Sequence, residues 1–412
     1  MTVRKIIAIA VIFGCTCVAW MILGASNLTR TDTSFSSLKR EVMTLYGGKL
    51  VIKAPSCYER ITKTREVTSD GKKTVETYYE FVEAETTRSD VKLGVDLDRR
   101  KKGNLWFPTF RAAFSASYAF SIADYRPGRE YFLHTSLNSS DSIYTDISLA
   151  INGTRQDDIM PLVKNEAIPV VPSADGAVTL DVSYGATGME DFVYLVTEDS
   201  DDIAQLKDFS LAVTTDFELY DFPSGMMSPT DKRVLGDGRH ELVWKLSDSV
   251  TGKDIGLVIP NRLNPGEIVT RVSFFAPVSL LFFFVVLLMV SIVLKARLHP
   301  MHFFFLAATF FSFHLMFSYF SDKWDIYLSF AIAAAVSLAL TVSYLVRVAP
   351  PKIARAYAPV TQFVYLVVFS FSFFFDGMTG IIVTICAVLT LFILMQITAH
   401  VDWDETFASK NE

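Results

Sequence analysis

Long windows without Lys, Arg, Asp or Glu occur near both ends of the chain. They are residues 6–25, 272–294, 298–321, 326–346, 356–375 and 377–401. A helix needs about 20 apolar residues to cross a hydrocarbon core of roughly 30 Å. The pattern therefore predicts six transmembrane helices, the last two joined at Asp376 as a tight hairpin. A re-entrant pair is the alternative for these last two windows.

Lysine and arginine near the window ends predict the orientation in the membrane. One set of short flanking segments contains Arg4, Lys5, Lys295, Arg297, Arg347, Lys352 and Arg355. The opposite short loops contain only Lys323. Because positive charge favours the cytoplasmic side, both termini, including the tail at 402–412, are predicted to be cytoplasmic and residues 26–271 extracytoplasmic.

The first window allows a second interpretation, a cleaved signal peptide. Its apolar run continues for ten residues beyond Cys15, and no A-x-A site precedes the polar segment that follows. We therefore expect a retained membrane anchor at residues 1–25.

Between the first two windows, apolar and polar residues alternate as they do in strands with one buried face. The segments are TVETYYEFVEAE, KLGVDLD, TFRAAFSASYAFSI, REYFLHTSL, YTDISLAI, AVTLDVSY, DFVYLVTE, FSLAVTTDFELY and HELVWKL. Turn signals such as SADG and LGDG separate them. Helical spacing appears only at residues 34–46, where a short helix is predicted to leave the membrane. The fold class is thus mixed: an N-terminal anchor, an antiparallel β domain at 26–271, and a helical bundle of five spans at 272–401.

Composition supports this division. Residues 26–271 hold 29 Lys and Arg against 37 Asp and Glu, a net charge of −8. The remaining residues hold only 9 Lys and Arg and 7 Asp and Glu. Of the 34 Phe, 21 lie between residues 272 and 401. An acidic domain without a basic stripe argues against nucleic acid as a partner. Cys57 is the only cysteine outside the windows, so an internal disulfide cannot stabilise the outer domain.

Sequence motifs for catalysis are missing. The chain has no phosphate-binding or dinucleotide-binding glycine motif and no G-x-S-x-G elbow. His240 and Glu241 are followed by Trp244 where the zinc motif H-E-x-x-H needs its second histidine. The acidic segment 198–202 could bind Ca²⁺, but a solvated loop is the simpler interpretation. We predict that the protein is not an enzyme and has no catalytic residue, cofactor or metal.

A basic run followed by aromatic residues is the most distinctive local feature. It contains Arg99, Arg100, Lys101, Lys102, Gly103 and Trp106. Such a combination can contact anionic lipid headgroups at a membrane surface. The alternative is a charged hairpin turn followed by a strand of the core.

His314 is the only ionisable residue deep within a predicted span. It lies six residues before Phe320 and hence about 9 Å from the outer end of the helix. Proton or ligand handling is one interpretation, because ionisable groups in membranes are costly. A neutral imidazole hydrogen-bonded to a neighbouring helix is the other.

Several strings resemble the CreD family of bacterial inner-membrane proteins. They are EVMTLYGGKLVIKAPS at 41–56, RRKKGNLWFPTFRA at 99–112, HPMHFFFLAATFFSFHLMFSYFSDK at 299–323 and LMQITAHVDW at 394–403. The family's Asp-x-Arg-Gly string is not conserved here, since SSDSIYTD at 139–146 keeps only Asp141. The chain therefore resembles a divergent relative, with the middle of the outer domain matching only loosely.

This resemblance implies an inner-membrane protein with a periplasmic β domain and a role in envelope integrity and envelope stress, including the response to β-lactams. It implies no catalytic residues. Membrane lipids and envelope proteins are the expected partners. The alternative function is a permease-type component that moves a lipid or hydrophobic compound, which His314 and the Phe-rich spans motivate.

Overall fold

The computed structural model describes residues 3–69, 72–137, 142–197, 203–296, 298–375 and 377–399. The predictions for Asp141, residues 198–202, Arg297, Asp376 and the tail at 402–412 lie outside these residues. The fold is mixed, with a sheet-rich region and several apolar helices, and the chain divides into two compact units. The helical unit contains the chain up to Ser37, Gly103–Leu105 and the chain from Leu263 onward; the β unit contains Leu38–Lys102 and Trp106–Arg262.

The helices differ greatly in length. They are α1 (Val3–Tyr46), the short α2 (Met160–Lys164) of the β unit, α3 (Pro265–Val293), α4 (Pro300–Phe320), α5 (Ile326–Val348), α6 (Ile353–Phe374) and α7 (Thr379–Thr398). Within the described residues, the six other than α2 are long and apolar enough to cross a membrane.

The first helix is longer than the sequence pattern predicts. Residues 6–25 and 34–46 belong to one continuous helix, because no Pro or Gly interrupts the polar residues between them. Instead, the hydroxyls of Thr29 and Thr33 donate hydrogen bonds to carbonyls four residues earlier, at 3.0 and 2.8 Å. The helix ends at Gly47, whose φ of 87° suits a glycine helix stop.

Helix α6 departs from regular α-helical geometry. Ile353–Tyr357 and Phe363–Val368 are π-helical turns. Such turns leave carbonyls without their usual intrahelical donors. One of those carbonyls finds a donor on another helix, since the hydroxyl of Ser279 on α3 donates to the carbonyl of Tyr365.

The core of the helical unit is rich in phenylalanine. The rings of Phe283 and Phe310 lie 4.6 Å apart, and those of Phe313 and Phe330 lie 5.4 Å apart. Asp325 caps the start of α5 by accepting hydrogen bonds from two backbone N–H groups. The aromatic contacts join α3 to α4 and α4 to α5, while the cap stabilises the start of α5 itself.

The β unit is built around a sheet of eight strands. In spatial order these are β10 (Thr154–Arg155), β9 (Tyr144–Ile151), β12 (Ala177–Met189), β7 (Thr109–Ser121), β4 (Glu85–Leu97), β14 (Ala204–Thr215), β16 (His240–Thr251) and β15 (Asp231–Val234). Residues alternate across β7, so Phe114 and Tyr118 are buried while Ser115 and Ser117 face solvent. This alternation places a single apolar face of the sheet against the core.

Three smaller sheets complete the β unit. One contains β11 (Ile168–Val170), β8 (Glu130–His134), β2 (Ser56–Ser69) and β3 (Lys72–Glu83) in that order. A second contains β1 (Leu50–Lys53), β13 (Asp191–Leu195) and β17 (Ile255–Val258), and the hairpin of β5 (Arg100–Lys102) and β6 (Leu105–Phe107) is the third.

The expectation of an antiparallel β domain is confirmed for most strand pairs and is wrong for two of them. Strands β4 and β14 pair in parallel, with Val91 opposite Leu211, and β1 pairs in parallel with β13. A strand with one buried face alternates in the same way in both arrangements, so the pattern could not reveal the direction. The partners are also more than a hundred residues apart in sequence, beyond the reach of hairpin signals.

Candidate functional site

The basic run occupies the hairpin of β5 and β6. Arg99 precedes β5, and Gly103 turns the chain with φ of 59° before Trp106 follows on β6. Two of the four cations have carboxylate partners. Arg100 pairs with Asp98 at 2.6 Å, and Lys102 pairs with Glu41. Arg100 and Lys102 are thus both engaged with a carboxylate, although Asp98 is shared with Arg111.

Two other cations lie against the indole of Trp106, and Arg99 lies close enough to one of them to feel its charge. The Lys101 ammonium lies 5.9 Å and the Arg262 guanidinium 5.0 Å from the centre of its ring. Arg99 donates a weak 3.5 Å hydrogen bond to the carbonyl of Pro260. In the described part of the chain, none of these three cations forms an ion pair with a carboxylate. We call Arg99, Lys101, Trp106 and Arg262 the Trp106 surface.

The pKa of Arg99 indicates that positive charge at this site is not fully balanced by negative charge. Burial lowers the pKa of its guanidinium, and the positive charge of Arg262 lowers it further, against a smaller opposing effect of Asp216. Two guanidinium groups are thus held near each other without a bound carboxylate. An anion placed between them would relieve this repulsion and accept charge-assisted hydrogen bonds. The arrangement therefore suits a phosphate-bearing ligand.

The sequence predicted only part of this surface. Arg99, Lys101 and Trp106 belong to the predicted run, whereas Arg100 and Lys102 are engaged with carboxylates. Arg262 was missed, because it lies 156 residues after Trp106 and no local pattern marks it. The long-range topology of the β unit brings it to the indole.

His314 is buried in the helical unit, 1% exposed. Its Nδ1 lies 2.8 Å from the carbonyl oxygen of Phe310 in the same helix, so Nδ1 carries a proton and donates. The expected bond to a neighbouring helix is replaced by this bond within α4. Its Nε2 and the indole N–H of Trp20 have no hydrogen-bond partner among the described residues, and the two rings lie 5.3 Å apart.

A buried polar network joins α1 to α3 and α4. The amide of Asn27 donates to the hydroxyl of Ser273 at 3.1 Å and accepts from that of Ser318 at 2.5 Å. Arg30 lies three residues later on α1 and pairs with Asp322 at 3.1 Å. Interhelical hydrogen bonds of this kind stabilise helix association in lipid. The network therefore attaches α1 to the bundle.

A second buried network joins α4, α5 and α6. The hydroxyls of Thr309 and Thr341 lie 2.8 Å apart, and Ser337 donates to the carbonyl of Thr309 at 2.7 Å. The Gln362 amide donates to Ser337 at 2.9 Å, while its carbonyl oxygen has no partner among the described residues. Gln362 immediately precedes the second π-helical turn of α6, where functional sites are often found.

The ribbon of β2 and β3 exposes aromatic residues. Beyond Arg60, β2 pairs only with β3, whose other edge carries no strand in the described chain. Tyr79 and Phe81 are 54% and 58% exposed. The Arg60 guanidinium lies 5.0 Å from the ring centre of Tyr79 and is held by Glu130 at 2.8 Å. An open strand edge with aromatic side chains suits contact with another protein.

Groups of three or more metal-ligating side chains do not occur within the described ranges. No protein-family model and no curated protein sequence matches this chain. A solved structure, native leukotriene A4 hydrolase from Saccharomyces cerevisiae, is similar at 10% sequence identity with a TM-score of 0.22. That match covers 79% of this chain and 68% of the hydrolase chain. A likeness this weak carries no argument about fold or activity.

Proposed function

We propose that this chain is a non-enzymatic inner-membrane protein of the bacterial envelope, a divergent relative of the CreD family that contributes to envelope integrity. In this proposal α1 and α3 to α7 all cross the membrane. Both termini lie in the cytoplasm, and residues 26–271 lie in the periplasm. The six long apolar helices and the distribution of Lys and Arg support this arrangement.

We propose that the function depends on the Trp106 surface, which binds the phosphate of anionic lipids at the outer face of the membrane. Lys101 and Arg262 lie against one indole, and Arg99 interacts with the charge of Arg262, in a domain (residues 26–271) whose net charge is −8. None of the three forms an ion pair with a carboxylate in the part of the chain that the structure describes. Arg262 is also only three residues from Pro265, where α3 begins. A cationic, aromatic site that a few residues connect in sequence to an apolar helix suits headgroups better than a soluble substrate.

Lipid-dependent stability tests this site directly. We expect phosphatidylglycerol to raise the Tm of the detergent-solubilised chain more than phosphatidylcholine does, because a ligand that binds the folded state stabilises it. The double variant Arg99→Gln, Arg262→Gln should lose most of this difference. The control Arg100→Gln removes the same kind of charge from an existing ion pair. This variant should keep the difference in Tm between the two lipids. Equal stabilisation by both lipids in the native chain would contradict the proposal.

The cellular role needs a separate test. Deleting the protein should change sensitivity to detergents and wall-active antibiotics, and the double variant should restore resistance less well than Arg100→Gln at equal protein levels. An unchanged phenotype of the deletion across such a panel would contradict a role in envelope integrity.

Contact with envelope proteins is proposed for the exposed edge of β3. A photoreactive amino acid at Phe81 should form crosslinks to other envelope proteins in intact cells, since this side chain is exposed on the open strand. The same probe at Leu391, which is exposed on α7, serves as the control. Identical crosslinked products from both positions would contradict a specific contact at β3.

A permease-type function is the second candidate, and the network of Gln362 favours it. A buried amide whose oxygen has no partner in the described part of the chain, beside a π-helical turn, is a costly feature within a membrane. If the bundle moves a lipid or hydrophobic compound, Gln362→Leu and His314→Ala should lower lipid exchange between vesicles at normal protein levels. Exchange equal to that of protein-free vesicles in the native chain would exclude this function.

A further inference from the structure

Helices α4 and α5 leave a groove of about 410 Å³ between them. Phe305, Ala308 and Leu340 line its apolar part, and Arg347 lies at one end. Phe305 is 44% and Leu340 43% exposed, so no helix of the described chain covers these walls. The groove is open along the surface that α4 and α5 present outward.

The end of the groove near Arg347 is polar. Ser343, Tyr344 and Arg347 lie on adjacent turns near the end of α5 and all line the groove. The Tyr344 hydroxyl is 2.7 Å from Nδ1 of His302, which orients it at this end. The other wall is formed by Phe305, whose ring lies 5.1 Å from that of Tyr344.

The charge at this end is not balanced by nearby acids. No Asp or Glu occurs between residues 326 and 375, whereas Arg347, Lys352 and Arg355 are all present. Arg347 is exposed and forms no ion pair within the described ranges. A ligand with a negative charge at one end and an apolar body would match both parts of the groove.

A membrane supplies such a ligand. Water does not fill an apolar groove in a bilayer, and an empty groove would forfeit dispersion contacts along its walls. From Leu340 to Arg347 the groove extends about 10 Å along the helix axis. This length is enough to hold a lipid headgroup and the first part of one acyl chain. Arginine near the membrane surface attracts anionic headgroups, and its guanidinium pairs well with phosphate.

We propose that the groove between α4 and α5 binds an anionic glycerophospholipid. Its phosphate lies at Arg347, and one acyl chain lies along Phe305, Ala308 and Leu340. This site requires that α4 and α5 cross the bilayer, but it shares no residue with the Trp106 surface. Either lipid site can therefore fail without affecting the other.

Native mass spectrometry of the purified full-length chain tests the proposal with phosphatidylglycerol and phosphatidylcholine as probes. The measurements use the Arg99→Gln, Arg262→Gln background, so that the Trp106 surface does not contribute. We expect Arg347→Gln to weaken phosphatidylglycerol binding about fivefold and to leave phosphatidylcholine binding unchanged. Leu340→Trp fills the groove and should weaken both lipids.

Two matched controls make the result decisive. Arg355→Gln removes the same charge outside the groove, and Leu391→Trp adds the same bulk on α7; both should bind lipid like the background chain. An equal loss in Arg355→Gln, or equal affinity for the two lipids, would overturn the proposed headgroup site. If Leu340→Trp does not fold, Ala308→Leu occupies the same groove, and unchanged binding in a folded groove-filling variant would overturn the acyl-chain site.

Discussion

Individual tyrosines illustrate how the core of the β unit satisfies its polar atoms. The hydroxyls of Tyr118 and Tyr194 lie 3.1 Å apart and are both buried. Burial raises the pKa of both phenols, and burial likewise raises the pKa of Tyr184. These groups remain protonated in the folded state at pH values where an unfolded tyrosine ionises.

This difference predicts alkaline destabilisation of the β unit. The stabilising contribution is complete below the unfolded pKa near 10 and is lost as the pH rises toward the folded values. Each buried tyrosine should lower the free energy of unfolding by up to about 1.4 kcal/mol per pH unit above pH 10. Urea unfolding of the solubilised chain between pH 8 and 11 measures the slope, which Tyr184→Phe should reduce. An unchanged slope in Tyr184→Phe would contradict a contribution of Tyr184 to the pH dependence of unfolding.

Cys57 provides a second prediction at this scale. Its thiol is 1% exposed, and burial raises its pKa to about 12. At pH 8 the thiolate fraction is then about one part in ten thousand, against about a quarter for an ordinary thiol. In a chain with Ala at the other three cysteines, a maleimide should label Cys57 only after unfolding.

The exposed position Ser247 supplies the control, because Ser247→Cys in that background should react rapidly in the folded chain. Rapid labelling of the chain that retains only Cys57 would show that its side chain is accessible.

At the scale of elements, glycine allows α1 to pack closely against α3. A Cβ at Gly24 would lie 3.0 Å from the ring of Phe274, whereas nothing lies within 4 Å of a Cβ at Gly14. Gly24→Leu should therefore destabilise the helical unit by about 1–3 kcal/mol relative to Gly14→Leu, which makes the same change in helix propensity. Thermal unfolding in detergent measures the difference, and equal Tm values for the two variants would contradict this packing.

The elements best predicted from sequence are those with a single buried face. TFRAAFSASYAFSI and YTDISLAI correspond to β7 and β9, because their alternation matches the burial that the structure shows. Strand β2 was missed, since its Arg and Lys residues project from a ribbon with no buried face over much of its length. Neither the parallel pairing of β4 nor the meeting of Arg262 with Trp106 has a local signal.

For the molecule as a whole, the distribution of Lys and Arg is the feature that best predicts the orientation in the membrane. The short segments that carry Arg4, Lys5, Lys295, Arg347, Lys352 and Arg355 contrast with loops whose only cation is Lys323. Moving an arginine or lysine through a bilayer during insertion is costly, so we expect this asymmetry to select one orientation. The acidic residues of the β unit count little in that selection.

Cysteine labelling of intact spheroplasts tests this orientation in a chain without native cysteines. Thr154→Cys, Lys323→Cys and Met378→Cys replace exposed residues and should react with a membrane-impermeant maleimide before lysis. Lys352→Cys should react only after lysis, because it follows α5 on the side that carries the positive charge. Labelling of Lys352→Cys before lysis would show that the orientation is the opposite of the predicted one. Protection of Met378→Cys alone would show that α6 and α7 form the re-entrant pair and do not cross.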